Sequence, residues 1–170
     1  MKSLHVSFEK EMDVSLNLTF QDILNKPLRQ MMQEFILQKE IGRRVVFEIV
    51  ESQSIQDYGL LKEFMGEFRT LGVRFAIDDF GTGYSNFEHI LKLNVDYIKI
   101  DGSLIKDILV NKNNQEIVIT IIDFAKRQGF KTIAEFVSNK EIFDKVKELG
   151  IDYAQGYYIS EPKSDILIEA

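Results

Sequence analysis

The stretch LGVRFAIDDFGTG, from Leu71 to Gly83, decides how this chain is built. Gly72 closes a segment with helical spacing, because glycine reaches the left-handed conformation that ends a helix without a Cβ clash. VRFAIDD then reads as a strand: it is rich in β-prone apolar residues and does not alternate cleanly, as expected of a strand buried on both faces. Two carboxylates, Asp78 and Asp79, stand at its end, and Gly81 and Gly83 follow in a turn. The order is helix, glycine, strand, loop. It recurs at Gly129 and Gly150, each followed closely by another apolar run.

Working outward, six strands are expected: Val14–Thr19, Arg44–Ser52, Val73–Asp79, Val95–Asp101, Lys131–Val137 and Asp152–Ile159. Helical spacing fills the gaps. It covers Leu28–Gln38, then Tyr58–Leu71 with a stripe of Leu60, Leu61, Phe64, Met65 and Phe68. Gln115–Gln128 follows, with Ile117, Ile121, Ile122, Phe124 and Ala125 toward the sheet, and Glu141–Leu149 with Phe143, Val146 and Leu149. This rhythm implies an α/β fold with parallel strands. An open doubly wound sheet and a β/α barrel both fit it. Asn17, Glu48, Asp78, Lys99, Glu135 and Gln155 all fall at or near the C-terminal ends of their strands. That favours a barrel, where every strand end faces one rim. With two prolines and no Gly/Ser-rich linker, residues 1–170 read as one domain.

The bulk properties narrow the function. A net charge of −6 argues against DNA, RNA or an anionic membrane surface as partner. It leaves room for an anionic small substrate if metal ions invert the charge locally. Cysteine is absent, which rules out disulfides and thiolate chemistry and suits a reducing cytosol. No apolar run is long enough to span a bilayer. The expected location is the cytoplasm, either free or as the cytoplasmic part of a membrane-anchored sensor.

The acids carry the chemistry. Glu48, Asp78 and Glu135 lie in or against apolar runs, where a lone carboxylate is costly. With Asp79 they place at least four acids near one rim, and like charges oppose each other's ionisation. A hard divalent ion answers that problem with oxygen ligands alone. Adjacent aspartates can serve two ions, one carboxylate bridging, and two metals suit phosphodiester cleavage. Asn17 offers an amide oxygen, and Lys99 a positive donor for a water or a phosphate oxygen. Blander readings stand beside these. An aspartate before glycine is often a turn former. Glu48 could pair with Lys99, Lys99 with Asp101, and Tyr157 and Tyr158 with the core.

SLNLT, FEIVES, AIDDFGTGYSN, DYIKIDGSLI, TIAEFV and AQGYYIS together resemble the motifs of the EAL domain family, bacterial cyclic di-GMP phosphodiesterases, in order from about Val14 to Pro162. The resemblance implies a TIM-like (β/α)8 barrel, incomplete here: six parallel strands are present, and the first two, including the EAL strand, are missing. It implies two Mg2+ or Mn2+ ions. Asn17, Glu48 and Asp78 would hold one; Asp79 and Glu135, with Asp78 bridging, the other. Lys99 would orient the water, Glu51 would anchor the loop of Gly81, Thr82, Gly83 and Tyr84, and Gln155 would support the site. The implied reaction opens cyclic di-GMP to linear pGpG. The implied partners are cyclic di-GMP, a second copy in a homodimer, and a GGDEF-like or sensor domain in the parent protein. The alternative is a degenerate domain that binds cyclic di-GMP, or a partner protein, without hydrolysis.

Two departures accompany the resemblance. None of the residues before Asn17 reads EAL, so that motif's metal-binding glutamate is missing from this sequence. The family's AEGVE reads AEFVS, with Phe136 in place of a glycine and Ser138 in place of a glutamate.

Overall fold

The structure, a computed structural model, describes residues 12–50, 57–81 and 87–162. Its strands are β1 Val14–Leu18, β2 Val45–Val50, β3 Arg74–Phe80, β4 Tyr97–Ile100, β5 Lys131–Ala134 and β6 Tyr153–Ala154. Its helices are α1 Phe20–Leu24, α2 Lys26–Lys39, α3 Tyr58–Arg69, α4 Phe87–Leu93, α5 Gly102–Lys106, α6 Lys112–Gln128 and α7 Lys140–Leu149. All six expected strands are present. Their order, β1-β2-β3-β4-β5-β6, is sequential. A doubly wound sheet reverses its order at a switch point, and a barrel does not. The chain forms two compact units, and β3 begins in the first and ends in the second.

The first unit carries residues 12–49 and 57–75 among those described. Strands β1 and β2 run parallel, with Val14 opposite Val45 and Asn17 opposite Glu48. The short helix α1 was not evident from apolar spacing. Its entry is a reciprocal cap: Thr19 Oγ1 accepts from the Asp22 N–H at 3.2 Å, and Asp22 Oδ2 accepts from the Thr19 N–H at 2.9 Å. Asn25 then caps α2 through the Leu28 N–H. The core is aromatic. Phe47 is fully buried, with its ring centroid 6.0 Å from Phe64, 5.1 Å from Phe68 and 5.9 Å from Phe75. Of the expected stripe on α3, Leu61, Phe64, Met65 and Phe68 are buried, whereas Leu60 lies at the exposed edge. Strand β1 departs from the expectation of burial on both faces: Ser15, Leu16 and Asn17 are exposed.

The second unit holds Val50 and, among the described residues, 76–81 and 87–162. Here β3 pairs with β4, β4 with β5 and β5 with β6, all parallel. Helix α6 buries Val118, Ile121, Ile122 and Ala125, and α7 buries Ile142 and Val146. The stripes are therefore rotated slightly from the expected ones. Ile117 turns outward, while Val118 and Ile142 turn in. At the N-terminal end of β5, the Asp152 carboxylate accepts from the Thr132 N–H at 2.9 Å and from Lys131 Nζ at 2.7 Å. Strand β6 is far shorter than the expected Asp152–Ile159. Gly156 stops it: a Cβ there would lie 2.4 Å from the Val137 backbone nitrogen, and the chain turns with Ile159 N–H donating to the Gly156 carbonyl at 2.9 Å.

The packing of the first unit is expected to depend on Phe47. Phe47→Ala removes a fully buried ring contacted by three others, and should cost about 3–5 kcal/mol. Urea unfolding checks this, as a fall in midpoint with little change in slope.

Candidate active site

Asp78 and Asp79 sit near the C-terminal end of β3, and adjacent residues of a regular strand point to opposite faces. Both could not serve one site in a regular strand. The structure resolves the conflict with a bulge. Ile77 is opposite Ile98, but Phe80 is opposite Ile100, so β3 carries one more residue than β4 across this interval. Asp79 adopts φ 57°, the left-handed conformation that aspartate tolerates better than most residues. Its N–H donates to the Asp78 carboxylate at 3.2 Å. The bulge brings carboxylate oxygens of Asp78, Asp79 and Glu135 within 4.8 Å of one another.

Glu135 reaches this place by extension of the β4–β5 and β5–β6 ladders. Its N–H donates to the Ile100 carbonyl at 3.3 Å. The Gln155 N–H donates to the Ala134 carbonyl at 2.8 Å, and the Val137 N–H to the Gln155 carbonyl at 3.0 Å. Lys99, on β4, is 3% exposed and lies between the acids, with Nζ 2.7 Å from Asp78 Oδ1 and 2.8 Å from Glu135 Oε1. It therefore pairs with these two acids.

Asp79 lies beside these two ion pairs, and burial dominates the proton affinities of Asp79 and Glu135. Burial, then the charges of Asp78 and Asp101, raise the Asp79 carboxyl above its ordinary value. Burial also raises Glu135, against the opposing hydrogen bond and charge of Lys99. The donors are all hard oxygens, two of the carboxylates are buried, and negative charge is in excess. That set fits Mg2+, Mn2+ or Ca2+. Asp101 was overlooked as a member of this group. It lies beside Asp79, where its charge raises that carboxyl's proton affinity, and it also caps α5, accepting from the Ser103 N–H at 2.8 Å. The only sequence signal was its place two residues beyond Lys99 at the end of a strand.

The other expected residues divide. Glu48 is buried and Asn17 exposed, side by side at the ends of β2 and β1 in the first unit. Gly81 has φ 108°, and a Cβ there would come 2.5 Å from Leu104 Cδ1. Gln155 joins Glu135, Phe136, Gly156 and Tyr157 around a cavity of about 280 Å³. Tyr157 and Tyr158 are exposed and not core residues. Glu51, Thr82, Gly83 and Tyr84 lie outside the described residues.

Oxygen donors able to take a hard cation, gathered at the C-terminal ends of sequential parallel strands, define a candidate metal site on a fold of the β/α-barrel type. The chain belongs to the EAL domain family, whose model matches residues 1–162. Cyclic di-GMP phosphodiesterase PdeB of Shewanella oneidensis is 44% identical over 119 residues, 70% of this chain and 14% of that protein. The EAL domain of Mycobacterium smegmatis DcpA gives a TM-score of 0.79 at 30% identity, covering 88% of this chain and 68% of that one. Klebsiella pneumoniae BlrP1, in complex with manganese and cyclic di-GMP, gives 0.78 at 25% identity, covering 85% of this chain and 38% of that one. The chain spans less than a quarter of the length of the first curated relatives it matches. No helix among the described residues is long and apolar enough to cross a membrane.

The raised carboxyls carry a sign. Asp79 and Glu135 hold a proton more tightly folded than unfolded. Their contribution to metal-free stability is therefore most favourable at acid pH, and it falls as pH rises through their raised folded values. A cation needs the ionised forms. Melting with Mn2+ and with EDTA should show a larger cation-dependent rise in Tm at about pH 7 than at about pH 5.

Proposed function

We infer that this chain is part of a metal-dependent phosphodiesterase that opens cyclic di-GMP to linear pGpG. The observation that carries the reading is the convergence of Asp78, Asp79 and Glu135 around Lys99. Family membership and the name of the Shewanella relative support it. The manganese and cyclic di-GMP bound to BlrP1 support the choice of cation and substrate.

Two Mg2+ or Mn2+ ions, when bound, supply Lewis-acid activation of water and neutralise charge on the phosphodiester. Asp78, Asp79 and Glu135 would hold these cations in the second unit. Asn17 and Glu48 each supply a metal ligand by resemblance to the family. Lys99 keeps a positive charge beside the acids, where it orients the water and meets a phosphate oxygen. Glu135, a buried carboxylate beside Lys99, accepts the water's proton. Water oxygen bonds to phosphorus as the bond to the 3′ oxygen breaks, the 3′ oxygen takes up a proton from solvent, and no covalent enzyme intermediate forms. By resemblance to the family, Gln155 and residues 81–84 would support the bound dinucleotide, and Glu51 would hold residues 81–84. A second copy of the chain and a GGDEF-like or sensor domain of the parent protein are the proposed partners, and the cytoplasm the proposed location.

The second reading, a domain that binds cyclic di-GMP without cleaving it, is favoured by AEFVS standing where the family has AEGVE. Turnover separates the two. Incubating the parent protein with cyclic di-GMP and Mn2+ is expected to yield pGpG on chromatography. Asp78→Asn should slow this by on the order of 100-fold or more, because it removes one carboxylate charge from the cluster. Tight binding with no pGpG from the parent protein would establish the receptor instead.

A further inference from the structure

Phe136 directly follows Glu135, and its backbone has φ 54°. That conformation favours glycine and is unusual for a bulky side chain. The strain has no obvious return in stability, because Phe136 is 64% exposed. Strain retained without burial points to a use in binding. The ring nevertheless has a prepared seat. Gly102, at the start of α5, is buried, and a Cβ there would lie 2.2 Å from Phe136 Cδ2 and 2.6 Å from Cγ. Gly102 has no positive φ to explain its identity. Its lack of a side chain serves the ring laid against it. One side of that ring is thus braced by the α5 backbone, and the residue also lines the cavity of about 280 Å³ shared with Glu135, Gln155 and Tyr157. This volume is near the lower end of small-molecule pockets, and suits one base of a dinucleotide better than the whole.

We propose that Phe136 is a substrate-binding residue: its braced aromatic ring stacks on a guanine base of the dinucleotide, beside the acidic cluster that contains Glu135. This rests on the phosphodiesterase reading of the same site. A planar base gains from an aromatic face whatever its hydrogen-bonding edge, so the ring contributes affinity while the polar groups around it set orientation. Tyr157, as exposed as Phe136, adds a second aromatic side chain to the same cavity. AEFVS is on this account a remodelled base subsite beside an intact metal-binding glutamate.

The chain contains no tryptophan, so Phe136→Trp introduces a single fluorophore at the proposed contact. With Mn2+ present, its emission should be quenched saturably by cyclic di-GMP. Calorimetry on the parent protein supplies the comparison. Phe136→Gly and Phe136→Leu should weaken cyclic di-GMP binding by roughly 5- to 100-fold, while Phe136→Tyr retains it. Mn2+ affinity should stay unchanged in all of them. The Tm of Phe136→Gly should equal or exceed that of the wild type, since glycine accepts the left-handed backbone. Wild-type affinity in Phe136→Gly would overturn the stacking role and leave the phosphodiesterase reading intact. Failure of the wild type to bind cyclic di-GMP with Mn2+ would overturn that reading, and the stacking role with it.

Discussion

The candidate site depends on one backbone conformation, the left-handed turn at Asp79 within the β3 bulge. Two adjacent aspartates in an uninterrupted strand would be divided between the faces of the sheet. One extra residue on β3 and a φ of 57° give both carboxylates to the same cluster. The cost is a strained non-glycine residue and an interrupted ladder. Neighbouring contacts hold it: the Asp79 N–H is satisfied by Asp78, and the Asp101 N–H donates back to the Phe80 carbonyl at 3.1 Å. Beyond it, Gly81 passes so close to Leu104 that a side chain would force a shift.

Lys99 is the electrostatic counterpart of that geometry. A buried ammonium and buried carboxylates are each costly alone, and together they offset one another. One positive charge between Asp78 and Glu135, with Asp79 close by, leaves a deficit. The upward shifts of Asp79 and Glu135 come first from burial, and the neighbouring acids add to them. Hence Lys99 offsets part of the acids' charge and leaves the cluster suited to receive a cation. A set of acids fully neutralised by lysines would lose that capacity.

Much of this was legible in the sequence. Six strands in parallel α/β order followed from apolar runs and from glycines after helices, and the polar strand ends followed from their spacing. The burial of Glu48, Asp78 and Glu135 was legible too, since each adjoins an apolar run. Short elements were not. Helix α1 is defined by a reciprocal Thr19–Asp22 cap, and α5 begins at the Asp101 cap, so neither has room for an apolar period. Strand β6 was overestimated because YYI has high β propensity, while the turn at Gly156 is set by a close approach to Val137, distant in sequence.

The sequence by itself determined which chemistry was available: oxygen ligands, a lysine and no thiol, on the ends of parallel strands. Those are properties of residue type and local order. Only the tertiary structure decided which groups act on one another. Lys99 took Asp78 and Glu135 in place of Asp101, and Asp101 came to lie beside Asp79. Phe136 took the space that Gly102 leaves. The reason is physical: pairing depends on distances set by strand register and by one bulge, and a single extra residue changes which face every later side chain meets.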